Sequence, residues 1–273
     1  MSILSSAHVH TTYCDGKTPA ADMARAALDK GFISLGFSSH APQHFDFPCC
    51  VRPEREADYK EEIRGLQKEY AGRMTIYLGT ERDYFSCADP AGYEYFLAGV
   101  HYLPFGDGQY AAVDGAADQL ARYIREECGG DGMELARRYY TMLRDYVMES
   151  HPSIIAHFDL IRKNNARLHF LDEDSPAYRR LALETLEAVK DSGALLEVNT
   201  GGIARGYLPT PYPDGFLLAA WKSWGGQVIV NSDCHDARLL DCCFDDAEAL
   251  LRSLGYDHAV RLGKSEMWER FPL

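Results

Sequence analysis

The sequence predicts an α/β fold in which a parallel sheet is connected by helices, and three observations carry that reading. Seven short apolar runs alternate with longer amphipathic stretches from one end of the chain to the other, the pattern of strand and crossover helix. The length of 273 residues is close to the ~250 residues of a single α/β barrel domain. Side chains able to bind metal gather at the C-terminal ends of the runs, the rim on which a closed parallel barrel assembles its functional groups. The sequence contains no internal repeat, low-complexity tract or Pro/Ser-rich linker, so residues 1–273 are read as one domain.

The runs are Ala7 to His10, Ile33 to Ser39, Thr75 to Glu81, Phe96 to Tyr102, Ile154 to His157, Ala194 to Asn199 and Gln227 to Ser232. Between the first two, Thr18-Pro19 offers an N-cap followed by proline at the first helical position, and Gly31 stops the helix after Lys30. A second helix places Tyr59, Ile63, Leu66 and Tyr70 on one face, and a longer one does the same with Leu135, Tyr139, Met142, Leu143 and Tyr146. Both stripes read as core packing. The stretch from Gly106 to Ser150 exceeds a simple crossover, so two helices are expected there, flanking the Gly129-Gly130 break.

Composition narrows the function. Hydrophobic residues at 46% and charged residues at 25% describe an ordinary globular protein with a large core. A net charge of −13 argues against nucleic acid as the main partner, because such binding needs a basic surface that releases counterions. If the substrate is a phosphate ester, bound divalent metals are the most direct source of a local positive field in so acidic a chain. The eight cysteines include the vicinal pairs Cys49-Cys50 and Cys242-Cys243 but no CxxC spacing, and read as reduced thiols. No segment approaches the ~18–20 apolar residues of a membrane span, and no basic-then-apolar leader is present, so a cytoplasmic protein is expected.

The chemistry lies at the run ends. His8 and His10 finish the first, His40 follows the second, Glu81 closes the third and His101 ends the fourth. His157 ends the fifth, Asp233 and His235 follow the seventh, and Asp15 lies in the loop after the first. His-x-His on a strand sends both rings to one face, and Asp233-x-His235 repeats that spacing. Mixed imidazole and carboxylate suit zinc, iron or manganese. Nine ligands exceed the needs of one ion and would serve two or three, with Glu81 as a bridging carboxylate. A hydroxide shared by two such ions is the expected nucleophile, attacking phosphorus in line. Arg162 and Arg205, after the fifth and sixth runs, are candidate phosphate contacts, and His44 is a candidate substrate contact. No residue is assigned as general acid.

Each reading has a plainer competitor. Asp15 could simply form the Asp15-Gly16 turn, Arg162 and Arg205 could pair with surface carboxylates, and His44 could be a solvated loop residue. His151, His169 and His258 are read as ordinary surface or packing residues. The convergence of six of the ten histidines and three carboxylates on one rim favours the metal site over coincidence. HExxH, GxSxG and GxxxxGK[ST] motifs are absent, which removes the first requirement of the corresponding protease, hydrolase and nucleotide-binding readings.

The chain resembles the polymerase and histidinol phosphatase (PHP) superfamily. His8-Val9-His10-Thr11-Thr12-Tyr13-Cys14-Asp15-Gly16 is similar to its first motif, His40-Ala41-Pro42 to its second, and Asn231-Ser232-Asp233-Cys234-His235 to its last. Gly79-Thr80-Glu81-Arg82-Asp83-Tyr84, Gly99-Val100-His101-Tyr102, His157-Phe158-Asp159-Leu160 and Glu197-Val198-Asn199-Thr200-Gly201-Gly202 resemble the histidinol-phosphatase branch. The resemblance implies a distorted (β/α)7 TIM-like barrel with a trinuclear metal site. It would give one metal to His8, His10, Glu81 and Asp233, a second to Asp15, His40 and His235, and a third to Glu81, His101 and His157. Many relatives carry an acidic residue before the second-motif histidine, where this chain has Ser39. The implied reaction is hydrolysis of L-histidinol phosphate, a small-molecule phosphate ester, in histidine biosynthesis. The alternatives are another phosphoesterase of the superfamily, acting on phosphotyrosine protein or a nucleotide, and a non-catalytic metal-binding barrel.

Overall fold

The computed structural model describes residues 4–45, 48–106 and 108–273. Its strands are β1 (Ser5–Ser6), β2 (Ser34–Phe37), β3 (Thr75–Asp83), β4 (Tyr95–Gly99), β5 (Tyr102–Phe105), β6 (Gln109–Ala112), β7 (Ile154–Ile155), β8 (Leu195–Asn199), β9 (Val228–Asn231), β10 (His258–Leu262) and β11 (Trp268–Pro272). The helices are α1 (Ala20–Asp29), α2 (Glu56–Tyr70), α3 (Ala117–Glu127), α4 (Gly132–Ser150), α5 (Asn165–Leu168), α6 (Pro176–Ala188), α7 (Gly201–Ala204), α8 (Gly215–Ser223) and α9 (Phe244–Ser253). Nine strands form one sheet in the order β1-β2-β3-β4-β7-β8-β9-β10-β11. Every pairing in it is parallel except the last, β10 with β11. Strands β5 and β6 form a separate antiparallel hairpin.

Helices pack on the sheet through the faces the sequence marks. Tyr59, Ile63, Leu66 and Tyr70 of α2 are buried, as are Leu135, Tyr139, Leu143 and Tyr146 of α4, with Met142 partly buried beside them. A second, smaller core lies among the strands and includes Tyr77, Tyr95, Leu97, Ile154, Leu195 and Ile229. Side chains two apart share a face, so the strand faces that carry this core run from apolar to polar along their length: Tyr77, Gly79, Glu81 on β3 and Leu195, Glu197, Asn199 on β8. Tyr95 crosses that face, its hydroxyl donating to the Ala7 carbonyl at 2.8 Å. The crossing is possible because Gly36 and Gly79 have no side chain, since a Cβ on either would strike the Tyr95 ring.

Four local expectations differ from what is observed. The first ladder covers only Ser5–Ser6, not Ala7 to His10; beyond it Val9 makes a lone parallel bridge to Cys234, with the His10 amide donating to the Cys234 carbonyl at 2.9 Å. Helix α1 begins at Ala20, and Thr18 does not cap it because its hydroxyl accepts the Ala237 amide, at 3.1 Å. The fourth run splits after Gly99, where Asp83 accepts the His101 amide at 2.7 Å and the chain turns into the β5–β6 hairpin. Strands β10 and β11 follow the last run; they pair with each other as an antiparallel hairpin from Leu262↔Trp268 to His258↔Pro272, and β10 joins the sheet through Val260 beside Ile229 of β9. The two expected helices flanking Gly129-Gly130 are α3 and α4, and Gly31, at φ 83°, ends α1.

Candidate metal site

Glu81, at the polar end of the β3 face, is the centre of the site. Its Oε2 lies 3.0 Å from His8 Nε2, 3.3 Å from His10 Nε2 and 3.1 Å from His40 Nδ1. Its Oε1 lies 2.8 Å from His157 Nε2 and 3.2 Å from His101 Nε2. Asp233 Oδ1 is 3.3 Å from His10 Nε2 and 3.6 Å from His235 Nδ1, while Asp15 Oδ2 is 3.3 Å from His235 Nε2. The nine candidate ligands thus assemble into four overlapping groups, His10-Asp15-His40-His235, His8-His10-Asp233, His8-Glu81-His157 and His40-Glu81-His101. Within each group the donor atoms lie within 4.8 Å of one another.

A bound cation fits this set. His8 Nε2, His10 Nε2 and Glu81 Oε2 are buried and make no hydrogen bond, an arrangement that costs free energy unless something else satisfies the atoms. Full burial alone would lower the His8 pKa, yet Glu197, Glu81 and Asp233 push it up to about 10. His10 is raised against its burial by Cys14, Asp233 and Glu81, and His101 by Glu81 and Asp83. His40 goes the other way, its burial carrying it down to about 3 in spite of Glu81. Glu81 is held well below the usual carboxylate range by His8, His40 and His101, although its burial acts against this. The carboxylates therefore demand positive charge from their surroundings, which protons or metal ions can supply.

The backbone is strained where two of these side chains enter: His157 has φ 22° and Asp233 φ 48°. Such conformations in non-glycine residues persist only where surrounding contacts enforce them. At Asp233 the enforcement is visible. Arg205 Nη1 donates to its carbonyl and Nη2 to its Oδ2, each at 2.8 Å.

A model of the PHP domain matches residues 6–201. The chain belongs to the PHP domain family. Relatives of this PHP protein include a probable histidinol-phosphatase of Deinococcus radiodurans, 30% identical over 93% of this chain and 95% of that one. The histidinol-phosphatase of Bacillus subtilis is 27% identical over 84% of this chain and 92% of its own. The crystal structure of a Lactococcus lactis histidinol phosphate phosphatase, complexed with zinc, L-histidinol and phosphate, is similar in fold, with a TM-score of 0.64 at 16% identity over 96% of this chain and 97% of that one.

In this PHP protein the metal-capable cluster opens into a cavity of about 180 Å³ lined by His40, Glu81, His157, Lys163, Arg205 and Asp233 among others. A neighbouring cavity of about 130 Å³ shares Asp15, His40, His101 and Asp114 with it. A larger groove of about 570 Å³, bordered by Tyr84, Arg138 and Met142, contains none of the candidate ligands. It is roomier but carries no convergent chemistry, so the smaller cavities are the candidate site.

The sequence-derived substrate contacts fare unequally. Arg205 lines the cavity. Arg162 is absent from both linings and buried in an acidic nest, 3.1 Å from Asp159, 2.6 Å from Glu173 and 3.2 Å from Asp214. The 3₁₀ turn Leu160–Asn164 gives about 120° of rotation per residue, so Arg162 faces that nest while Lys163 faces the cavity. His44 is exposed and lines neither cavity. Two buried residues had no assigned role: Glu197, whose Oε1 accepts from His8 Nδ1 at 2.7 Å, and Asp83, 3.5 Å from His101 Nδ1. Glu197 stands two residues before Asn199 on β8 and so on the same face, while its pairing with His8, 189 residues away, has no signal in the spacing.

Proposed function

We propose that the chain is a metal-dependent phosphomonoesterase that hydrolyses L-histidinol phosphate to L-histidinol and phosphate. The observation that carries the metal dependence is the set of buried, unbonded donor atoms of His8, His10 and Glu81 converging beside the cavity. The substrate follows from the curated relatives, which match nearly end to end. Two or three divalent transition metals, of the zinc, iron or manganese kind, would be held by His8, His10, Glu81 and Asp233, by Asp15, His40 and His235, and by Glu81, His101 and His157. Such ions supply a water acidified toward neutral pH and positive charge for the phosphoryl oxygens. The chain's own residues do the remaining work. Arg205 and Lys163 add fixed positive charge at the cavity wall, where a phosphate can accept from both. Glu197 fixes the His8 ring through Nδ1, leaving Nε2 bare for a ligand bond.

The small paired cavities favour a compact monoester over a nucleotide or a phosphoprotein segment. The Val9–Cys234 bridge, linking the segment after β1 to that after β9, supports a distorted (β/α)7 barrel spanning residues 1–273 as one domain. No helix among the described residues is long and apolar enough to cross a membrane, and none of the eight cysteines is in a disulfide, which agrees with a reducing, cytoplasmic location. The test is phosphate release from L-histidinol phosphate beside elemental analysis. Release far faster than from a generic monoester, with two or more ions per chain, is expected. Equal rates remove the substrate assignment, and fewer than two ions under metal-replete conditions remove the multinuclear site.

A further inference from the structure

One carboxylate of the two cavities belongs to none of the metal-capable groups among the described residues. Asp114 lines both cavities and stands where they meet. Its backbone is pinned from two sides: the Val113 amide donates to the His101 carbonyl at 2.8 Å, and the Asn164 side chain donates to the carbonyls of Val113 at 3.3 Å and Gly115 at 3.0 Å. Its Oδ2 accepts from Lys163 Nζ at 3.0 Å, and that ammonium also lies 4.7 Å over the Tyr207 ring.

L-Histidinol phosphate carries its amine on the carbon next to the one bearing the phosphoester oxygen, so a cation and an anion sit close together on one small molecule. The Asp114–Lys163 pair is the complement of that arrangement. We propose that the pair is the substrate-selecting element of the site, with Asp114 accepting from the substrate's ammonium while Lys163 turns to its phosphate. The inference rests on the phosphomonoesterase reading above. The exchange leaves every charge compensated at a cavity wall where Asp114 and Lys163 are only partly exposed, at 26% and 16%, and an unpaired charge is incompletely solvated. Partial burial disfavours the Asp114 anion, but Lys163 and His101 hold its carboxyl below the usual range, so it is an acceptor at neutral pH. A phosphoester without the amine would draw Lys163 away and leave the partly exposed Asp114 without its cation, and a site built to pair with a substrate group discriminates against the analogue that lacks it.

The experiment compares kcat/KM for L-histidinol phosphate with that for its desamino analogue, 3-(imidazol-4-yl)propyl phosphate, in the metal-loaded wild-type protein and in Asp114→Asn and Asp114→Glu. The wild type is expected to prefer the aminated substrate at least tenfold. Asp114→Asn should bring the ratio toward one, mainly through KM, and Asp114→Glu should restore part of it. A ratio unchanged in Asp114→Asn, including one in which both rates fall together, overturns the assignment, because a purely structural role would affect the two substrates alike. A wild type that does not distinguish the two overturns it without any variant. In both cases turnover of L-histidinol phosphate leaves the parent reading standing, whereas no turnover of either substrate removes both.

Discussion

At the scale of single residues, the site is a contest between burial and charge. His8 stands fully buried between Glu197 and Glu81, and with its pKa at about 10 the metal-free imidazole holds a proton at neutral pH. A metal must displace that proton, so zinc uptake at pH 7 is expected to release protons, and the apparent zinc affinity to rise with pH toward about 10. Indicator-dye measurements in weak buffer check both; uptake without proton release would contradict the His8 placement. For the metal-free chain the sign reverses. A folded pKa raised above the ordinary 6.5 gives stability that is complete below pH 6.5 and lost as pH rises through about 10. Glu197→Gln should weaken zinc binding about 10- to 100-fold, the usual cost of losing the partner that orients a ligating histidine, readable by competition with a chromophoric chelator. Arg205→Ala bears on two functions, since the guanidinium both lines the cavity and braces Asp233. Its kcat/KM should fall, and its metal content with it, whereas Lys163→Met should lower kcat/KM with the metal content intact.

At the scale of elements, the parallel strands act as rulers that bring apolar side chains to one end of a face and polar ones to the other. Tyr77, Gly79 and Glu81 show why the glycine matters: it makes room for Tyr95, which spans to Ala7 beneath the site. Gly79→Ala should therefore destabilise the fold by about 1–3 kcal/mol, the range for overpacking a filled interior, measured as a lowered midpoint in urea with unchanged slope. The helix stripes on α2 and α4 were legible from spacing alone, because burial of one face repeats every 3.6 residues regardless of what covers it. The capping role of Thr18 was not, because its hydroxyl is taken by an amide 219 residues away.

At the scale of the whole molecule, one cluster draws on segments from His8 to His235, so ligand binding and folding are coupled. Chelation should lower the melting temperature and abolish phosphatase activity, and zinc should restore both, because an ion that binds only the folded state stabilises it by mass action; calorimetry with and without chelator decides. The metal-competent residues could be read from sequence because each lies at or just past the end of an apolar run, and a parallel sheet sends such ends to one rim. The sequence by itself thus determined the fold class, the candidate ligands and the metal chemistry they suit, since residue type and strand or helix period depend only on local order. Tertiary structure alone decided that Lys163 rather than Arg162 meets the cavity, that Glu197 braces His8, and that Asp114 stands between two cavities. Those facts follow from which way a short turn rotates and which distant strand lies opposite, and neither is encoded in the spacing of residues along the chain.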